Sequence, residues 1–319
     1  MRSVSVLGAG AFGTALGIAL TETFEEVVLW ARSKSFAAEM EIARENRRRL
    51  PNVTLPDNLR VTSELPMTDI VLLVIPTQAL GQFLAERPEM LSQSVLIACC
   101  KGMDLETGQV PSEMIGQHCP EARSATLTGP SFAVDVAAGL PTALTLACKD
   151  PELGKALQVR LSTPTLRLYL STDPLGAELG GALKNVVALA AGLTIGAGLG
   201  ESARAAVVSR GFAEMQRIAR ALGGRPETLA GLSGLGDLIL TCSSEKSRNY
   251  TAGKLIGQGK GIDQGVTIEG LATAKAVSKL AASLALDAPI SNMVGAVIEG
   301  RVSVEQAKDL LLSRPLKEE

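Results

Sequence analysis

Histidine, aromatic residues and paired cysteines are scarce in this 319-residue sequence. The single histidine, His118, stands far from any cluster of candidate catalytic residues, so a histidine-based mechanism is not expected. The five cysteines, at positions 99, 100, 119, 148 and 242, form neither a CxxC pair nor a metal-ligand spacing, which indicates reduced thiols and no metal site. Aromatic residues make up 3% of the chain, a composition that favours packed helices and βαβ units over an aromatic binding surface.

An excess of positive charge and a long apolar run are also missing. A formal net charge of -2 argues against broad binding to nucleic acid or to a membrane surface, because both need a basic field. The longest uncharged run lies between Lys184 and Glu201 and has about sixteen residues, fewer than the roughly 20 that a membrane span requires. It therefore predicts a buried helix. No signal peptide is expected at the N-terminus, and the sequence predicts a cytoplasmic protein.

The two halves of the chain differ in pattern. In the first half, short β-branched runs alternate with helical stretches, and the predicted strands are VSVLG, EVVLW, DIVLLVI, SVLIACC and PTALTLA. Such alternation predicts a parallel sheet with crossover helices. From about residue 171 the strands stop and apolar residues recur at helical spacing. We therefore predict an α/β protein with a Rossmann-type, mostly parallel sheet domain over 1–174 and an all-helical domain over 175–319.

The stretch VSVLGAGAFGTAL places Gly8, Gly10 and Gly13 between a predicted strand and a predicted helix. In a dinucleotide-binding turn the first glycine permits the sharp bend, the second lets the pyrophosphate approach the backbone, and the third lets the helix pack close to the strand. Ala11 and Phe12 lie within the turn, and we expect Phe12 to pack beside the cofactor. The alternative is an ordinary glycine-rich turn, but the strand and helix on either side favour a nucleotide site.

Arg32 stands where many NAD-specific sites have an acidic residue, about 20 residues beyond the glycine turn. An arginine can accept the 2′-phosphate of NADP and stack on adenine. We therefore expect NADP(H) to be used at least as well as NAD(H). The alternative is an exposed arginine at a strand end with no role in binding.

A nicotinamide enzyme needs a group that exchanges the hydroxyl proton of its substrate, and Lys184 is the main candidate. It lies in the apolar stretch GGALKNVVALAAG, where Gly180 and Gly181 leave space one turn back. From the residues alone, two possibilities stay open: the side chain extends along the helix to water, or it faces a cavity with its pKa changed by burial and by neighbouring charges.

Further polar residues stand at turns and strand ends. Lys101 follows the strand SVLIACC, at the sheet edge where open α/β sheets bind ligands. Asp237 lies on a glycine-rich corner, and the tripeptide 247–249, SRN, offers donors suited to a phosphate dianion. A solvated polar loop is the alternative for SRN.

Ten motifs, in order, resemble those of the bacterial NAD(P)-dependent sn-glycerol-3-phosphate dehydrogenases, and the resemblance spans nearly the whole chain. The motifs are GAGAFGTAL, EVVLWAR, NRRRLPNVTLPDNL, CKGMDLETG, GPSFAVDVAAGLPTA, LGGALKNVVALAAG, RGFAEMQRIARALG, GLGDLILTC, SRN and IEG. The resemblance implies reduction of dihydroxyacetone phosphate to sn-glycerol 3-phosphate with NADP(H) and/or NAD(H), for glycerophospholipid synthesis in the cytoplasm.

The resemblance also implies roles for individual residues. It makes Lys184 the proton-transfer residue, Lys101 a second positive charge and Asp237 the ion-pair partner of Lys184. The residues that it implies in substrate binding are Lys101, Gly129, Ser131, Lys184, Asp237, Ser247, Arg248 and Asn249. Those that it implies in cofactor binding, besides the glycine turn and Arg32, are Lys101, Ala133, Arg248, Thr267 and Glu269.

Two alternatives to this function stay open from the sequence. One is a related NADP-dependent reductase of a hydroxyacid or of ketopantoate, and the other is a catalytically inactive nucleotide-sensing protein. Cys99 and Cys100 depart from the family pattern beside Lys101 and predict sensitivity to oxidation. The apolar helices of the second half predict a homodimer.

Overall fold

The computed structural model describes residues 3–262 and 268–313. The chain divides into two compact units, which we call the first unit (Met1–Lys101 and Gln109–Glu178) and the second unit (Gly102–Gly108 and Leu179–Glu319). The boundary predicted between residues 174 and 175 falls at the start of a helix, Pro174–Gly196, that contributes residues to both units. The assignment of 102–108 to the second unit has no counterpart in the sequence prediction.

Ten strands are described, all before residue 172. They are β1 Ser3–Leu7, β2 Glu26–Trp30, β3 Glu45–Asn46, β4 Leu50–Thr54, β5 Leu59–Thr62, β6 Ile70–Leu73, β7 Val95–Ala98, β8 Arg123–Thr128, β9 Thr142–Ala147 and β10 Leu166–Ser171. The helices that precede or begin near this point are α1 Ala11–Leu20, α2 Lys34–Ala43, α3 Thr77–Ala85, α4 Pro88–Leu91, α5 Pro111–His118, α6 Ala133–Ala137, α7 Pro151–Leu161 and α8 Pro174–Gly196.

From residue 174 onward the described residues form helices and no strand. The later helices are α9 Gly200–Ala221, α10 Pro226–Leu229, a π-helical turn Leu232–Gly236, α11 Asp237–Cys242, α12 Arg248–Gly257, α13 Glu269–Ser283, α14 Pro289–Ile298 and α15 Val304–Leu312.

Eight of the strands form one sheet in the order β10-β9-β8-β7-β6-β1-β2-β5. All neighbouring pairs are parallel except β8 with β9, so β9 and β10 run opposite to the other six strands. The two remaining strands, β3 and β4, form a separate antiparallel hairpin. The predicted fold class, a mostly parallel Rossmann-type sheet followed by helices, is confirmed.

Helices cover both faces of the sheet, which explains the apolar strands. Val6 and Leu29 on one face pack in a cluster with Leu16 of α1. On the other face Trp30 joins the cluster that includes Phe83 of α3, with the two ring centroids 5.5 Å apart. Strands β6 and β7 are buried along their full length, as the uninterrupted apolar runs predict.

The sequence prediction missed the strands that lack such runs. Strand β8, RSATLT, begins with polar residues, and β10 alternates buried and exposed side chains along most of its length at the sheet edge. Strand β5 lies at the opposite edge and has four residues. Short edge strands carry weak hydrophobic patterns because only part of their surface is covered.

Helix α8 is the one described helix that is long and apolar enough to cross a membrane. However, 89% of its apolar window is buried inside the protein, as predicted for this run. In the second unit α8 packs against α12 at backbone distance, because a Cβ atom on Gly253 of α12 would overlap the carbonyl oxygen of Leu189. The burial of α8 accounts for its hydropathy.

Candidate active site

The glycine turn joins β1 to α1 in the first unit. The Gly8 N–H donates to the Trp30 carbonyl at 3.1 Å, and the φ of Gly8 is +127°, a conformation that favours glycine. A Cβ on Gly8 would overlap the Val74 carbonyl, and one on Gly13 would overlap the Gly8 carbonyl. Gly10 has no neighbouring atom within 4 Å of an added Cβ, and it caps α1 without a side-chain hydrogen bond. The turn thus offers an open approach to uncapped helix N–H groups, as an anion site requires.

The other predicted cofactor residues of the first unit lie on three elements. Ala11 is the first residue of α1, and Phe12 is half-buried against the sheet core. Arg32 is exposed, two residues beyond β2. Ala133 is the first residue of α6 and packs against the cluster that contains Ala15 of α1.

Three predicted substrate residues of the first unit meet at one carbonyl group. The half-buried Lys101 donates from Nζ to the Gly129 oxygen at 2.9 Å, and Ser131 donates from Oγ to the same oxygen at 3.2 Å. Gly129 has a φ of +141°, and an added Cβ would lie 3.1 Å from Leu144 Cδ2. The backbone therefore needs glycine here and holds Lys101 and Ser131 together.

The second unit buries a charged pair. Lys184 on α8 donates from Nζ to Asp237 Oδ1 at 3.1 Å and to Thr241 Oγ1 at 2.8 Å. Thr241 also donates to Asp237 Oδ1, at 3.2 Å. The side chains of Lys184 and Asp237 are 8% and 2% exposed. Of the two possibilities left open by the sequence, extension of the lysine to water is therefore wrong.

Close backbone packing brings this pair together. Gly180 lies one turn before Lys184, and a Cβ on Gly180 would lie 2.6 Å from the Ser233 carbonyl oxygen in the π-helical turn. The space predicted beside the lysine is therefore filled by backbone at this glycine. Asp237 follows the π-helical turn directly and begins α11, so Gly180 sets how near α11 lies to α8.

Further polar and charged residues lie near the buried pair in sequence or through Cys242. Arg204 on α9 donates to the carbonyl of Cys242 at 2.9 Å. Burial raises the pKa of the Cys242 thiol to about 12, although Lys184 and Arg204 act in the opposite direction. Asn185, next to Lys184, is 2% exposed, and its Nδ2 has no hydrogen-bond partner within the described parts of the chain. A buried amide donor of this kind costs free energy unless a bound molecule accepts from it.

The SRN tripeptide starts α12, and its three side chains have different surroundings. Ser247 is buried and caps α12 by accepting from the Tyr250 N–H at 3.2 Å. Asn249 is buried, donates to Asn185 Oδ1 at 2.9 Å and accepts from the Gly270 N–H at 2.9 Å. Arg248 is exposed. Of the three side chains predicted to bind phosphate, that of Arg248 is exposed, and those of Ser247 and Asn249 are buried in hydrogen bonds at the start of α12.

The predicted residues near α13 are only partly described. Glu269 is its first residue and is half-buried, directly before the Gly270 that bonds Asn249. Thr267 lies outside the described residues. Residues 3–262 and 268–313 contain no group of three His, Cys, Asp or Glu side chains that could hold a metal ion.

Sequence reasoning missed Thr241 and Asn185. Thr241 stands four residues after Asp237, the spacing that puts two side chains on the same face of a helix, and this was the available signal. Asn185 adjoins the lysine in sequence. Cys99 and Cys100 are 3% and 8% exposed, and burial raises the pKa of Cys99 well above its usual value, which disfavours the oxidation expected there.

Known protein families match residues of both units of the chain. The family model described as NAD-dependent glycerol-3-phosphate dehydrogenase N-terminus matches residues 3–154, and the corresponding C-terminus model matches residues 173–309. The chain is 56% identical over 319 residues to glycerol-3-phosphate dehydrogenase (NAD(P)+) of Paracoccus denitrificans (strain Pd 1222), and 54% identical over 320 residues to that of Ruegeria sp. (strain TM1040). Each match covers 99% of this chain and 100% of the relative.

A solved structure of a glycerol-3-phosphate dehydrogenase is also similar to this chain. The crystal structure of glycerol-3-phosphate dehydrogenase from Coxiella burnetii is similar to this chain with a TM-score of 0.92 and 34% sequence identity. The match covers 98% of this chain and 99% of that one.

Proposed function

The chain belongs to the NAD-dependent glycerol-3-phosphate dehydrogenase family, and we propose that Lys184 is its proton-transfer residue. The chain is an oxidoreductase that interconverts dihydroxyacetone phosphate and sn-glycerol 3-phosphate with NAD(P)(H). The observation that carries this proposal is the buried cluster of Lys184, Asp237 and Thr241. A buried ammonium is costly unless it is paired, and here it is held on a helix by a carboxylate and a hydroxyl.

The cofactor is held by the glycine turn in this proposal. The open side of Gly10 and the uncapped start of α1 suit a pyrophosphate, and the exposed Arg32 suits the 2′-phosphate of NADP. Ala11, Phe12, Gly8, Gly13 and Ala133 complete the contacts proposed for the first unit. When bound, the nicotinamide supplies the hydride for C2 of the substrate.

Lys184 donates a proton to the oxygen on C2 as negative charge develops there, and it becomes a neutral amine that solvent protonates again. Asp237 Oδ1 and Thr241 Oγ1 fix the position of Nζ. In the oxidation direction the neutral amine of Lys184 accepts the hydroxyl proton. Lys101, oriented by the Gly129 carbonyl, is proposed to supply a second positive charge to the substrate.

The substrate phosphate is bound by Arg248 and by the start of α12. Ser247 and Asn249 fix this helix start by their buried hydrogen bonds, and Ser131 and Gly129 contribute donors to the substrate. The amide of Asn185, whose Nδ2 has no partner among the described residues, supplies a further donor. Glu269 and Thr267 remain proposed cofactor contacts.

The hydroxyacid or ketopantoate reductase and the inactive nucleotide sensor are not favoured, since relatives that match the full chain are glycerol-3-phosphate dehydrogenases. A role in glycerophospholipid synthesis, a cytoplasmic location and a homodimer stay predictions.

Substitution of Lys184 tests the proposed proton transfer. We expect Lys184→Met to lower kcat for dihydroxyacetone phosphate by about 10² to 10³, measured as NADPH oxidation at saturating substrate. Because Lys184→Met leaves Asp237 without its ammonium partner, it also destabilises the fold. Lys184→Arg is the second variant, since it keeps the charge but holds its proton too tightly to act as an acid.

Binding of NADPH, followed by its fluorescence, is the control for a folded first unit. Both variants should bind NADPH as the wild type does while losing turnover. A Lys184→Arg enzyme with wild-type kcat would show that the proton comes from another group.

A further inference from the structure

The motif NRRRLP has no role in the reaction described above, yet one of its residues touches the glycine turn. Asn46, on β3, has no exposed surface. Its Nδ2 donates to the Ala9 carbonyl at 3.1 Å and to Thr14 Oγ1 at 2.8 Å, and its Oδ1 accepts from the Arg49 N–H at 3.1 Å. The side chain therefore uses both of its donor hydrogens on α1 and the turn before it.

Thr14 extends this contact to the next peptide group. Its Oγ1 donates to the Gly10 carbonyl at 2.8 Å, while accepting from Asn46. Asn46 thus holds the Ala9 carbonyl directly, and the Thr14 hydroxyl, itself bonded to Asn46, adds a second bond to the Gly10 carbonyl beside the helical one from the Thr14 N–H. These are the two consecutive peptide groups at the centre of the glycine turn.

A hydrogen bond that fixes the direction of one residue's carbonyl also fixes the direction of the next residue's N–H group. In a trans peptide the carbonyl of one residue and the N–H of the next point in opposite directions, and the described residues contain no cis peptide bond. The bond from Asn46 to the Ala9 carbonyl therefore fixes the direction of the Gly10 N–H. The relay through Thr14 supports the direction of the Ala11 N–H, together with the helical bond that the Gly10 carbonyl accepts from the Thr14 N–H at 2.9 Å.

We propose that Asn46 is a positioning residue for cofactor binding, which orients the Gly10 and Ala11 N–H groups toward the dinucleotide pyrophosphate. This inference rests on the proposed function, in which the glycine turn binds the cofactor. Asparagine suits the position because it combines two donors with one acceptor. Aspartate would bring an anion to the Ala9 carbonyl and remove both donors.

The first experiment compares Asn46→Ala with Asn58→Ala. Asn58 is a matched control, since its Nδ2 also donates to two backbone carbonyls, those of Thr21 and Phe24, both at 3.0 Å, at the other end of α1. We expect Asn46→Ala to raise the Kd for NADPH about tenfold, ~1.4 kcal/mol, in a fluorescence titration. Asn58→Ala should lower the unfolding temperature similarly and leave the Kd unchanged.

Kinetics and two pairs of variants complete the test. With Asn46→Ala, kcat at saturating NADPH and the KM for dihydroxyacetone phosphate should stay at wild-type values. Thr14→Val, which removes the relay hydroxyl, should weaken NADPH binding, whereas Thr14→Ser, which keeps it, should not. The proposal is overturned if Asn46→Ala binds NADPH normally, if Asn58→Ala weakens binding equally, or if both Thr14 variants bind alike.

Gly10→Ala separates this inference from the proposed function. An added Cβ there meets no protein atom within 4 Å, so the variant should fold normally but obstruct the pyrophosphate. If Gly10→Ala binds NADPH like the wild type, the turn is not the cofactor site and both proposals fail. If it binds weakly while Asn46→Ala binds normally, only the role of Asn46 fails.

Discussion

Two of the buried carboxyl groups, those of Glu178 and Asp237, have opposite surroundings. Glu178, on α8 within the first unit, accepts from the Ser112 N–H at 2.9 Å, from Ser112 Oγ at 2.6 Å and from Thr126 Oγ1 at 2.9 Å. Asp237, in the second unit, is paired with the ammonium of Lys184. Neutral donors surround the first carboxyl group, and a cation neutralises the second.

The difference separates a structural group from a reactive one. Burial raises the pKa of Glu178 to about 7, against the hydrogen bonds that lower it, so this group can become neutral and needs no counter-ion. Glu214 repeats the arrangement between α9 and α14, with a raised pKa and the Ile290 and Ser291 N–H groups as donors. Of these three carboxyl groups, Asp237 is the one with a buried ammonium beside it, and that ammonium is the group proposed to move a proton.

Replacing each carboxyl by its amide should give the largest contrast. At pH 6, we expect Asp237→Asn to lower the free energy of unfolding by about 3 to 5 kcal/mol, because it leaves Lys184 buried without an anion. Glu178→Gln should cost about 1 kcal/mol, the worth of one altered hydrogen bond. Urea unfolding measures both, and kcat should fall only for Asp237→Asn. If the two variants lose equal free energy of unfolding, the distinction drawn between the two carboxyl groups is wrong.

A smaller effect should appear as a pH dependence. The pKa of Glu178 is higher in the fold, about 7, than its ordinary value of 4.5, so the folded chain binds this proton more tightly than the unfolded chain does. Its contribution to stability is present below pH 4.5 and is lost as the pH rises through about 7. The free energy of unfolding of the wild type, minus that of Glu178→Gln, should therefore fall over this interval by up to about 3 kcal/mol.

The subtraction cancels Glu214, which both proteins contain, whereas the nearby Glu113 belongs to the measured effect because its charge helps to raise the pKa of Glu178. If the difference between the two proteins stays constant from pH 4.5 to 8, the carboxyl is ionised throughout and its donors hold it as an anion.

The sequence predicted those parts of the fold and site whose signals are local. DIVLLVI and SVLIACC are strands because their uninterrupted apolar character reflects cover on both faces, and the glycine turn is contained within six residues. Strands β8 and β10 were missed because their pattern depends on neighbours that the sequence does not name. For β10 that dependence is its edge position, which is a property of the sheet and not of the segment.

Contacts between distant residues were beyond sequence patterns. Lys184 and Asp237 are 53 residues apart, and periodicity alone left the direction of the lysine open. Only the resemblance to a family paired them. Asn46 is 37 residues from Ala9. Its motif, NRRRLP, indicated no role for Asn46, because a single amide has no characteristic spacing. Such pairs depend on backbone packing, as between Gly180 and the π-helical turn.

The smallest predicted effect concerns a charge that the protein leaves exposed. Arg248→Ala should raise the KM for dihydroxyacetone phosphate about tenfold, because a charge-assisted hydrogen bond to the phosphate is lost while water competes for it. The unfolding temperature should not change, since the side chain is exposed, and kcat/KM for dihydroxyacetone, which has no phosphate, should stay at its wild-type value. Arg301→Ala, at an exposed arginine paired with Glu299, is the control. If Arg248→Ala affects both substrates equally, the guanidinium acts on the carbonyl end of the substrate or on the cofactor, and the contrast between buried reactive charge and exposed binding charge does not hold.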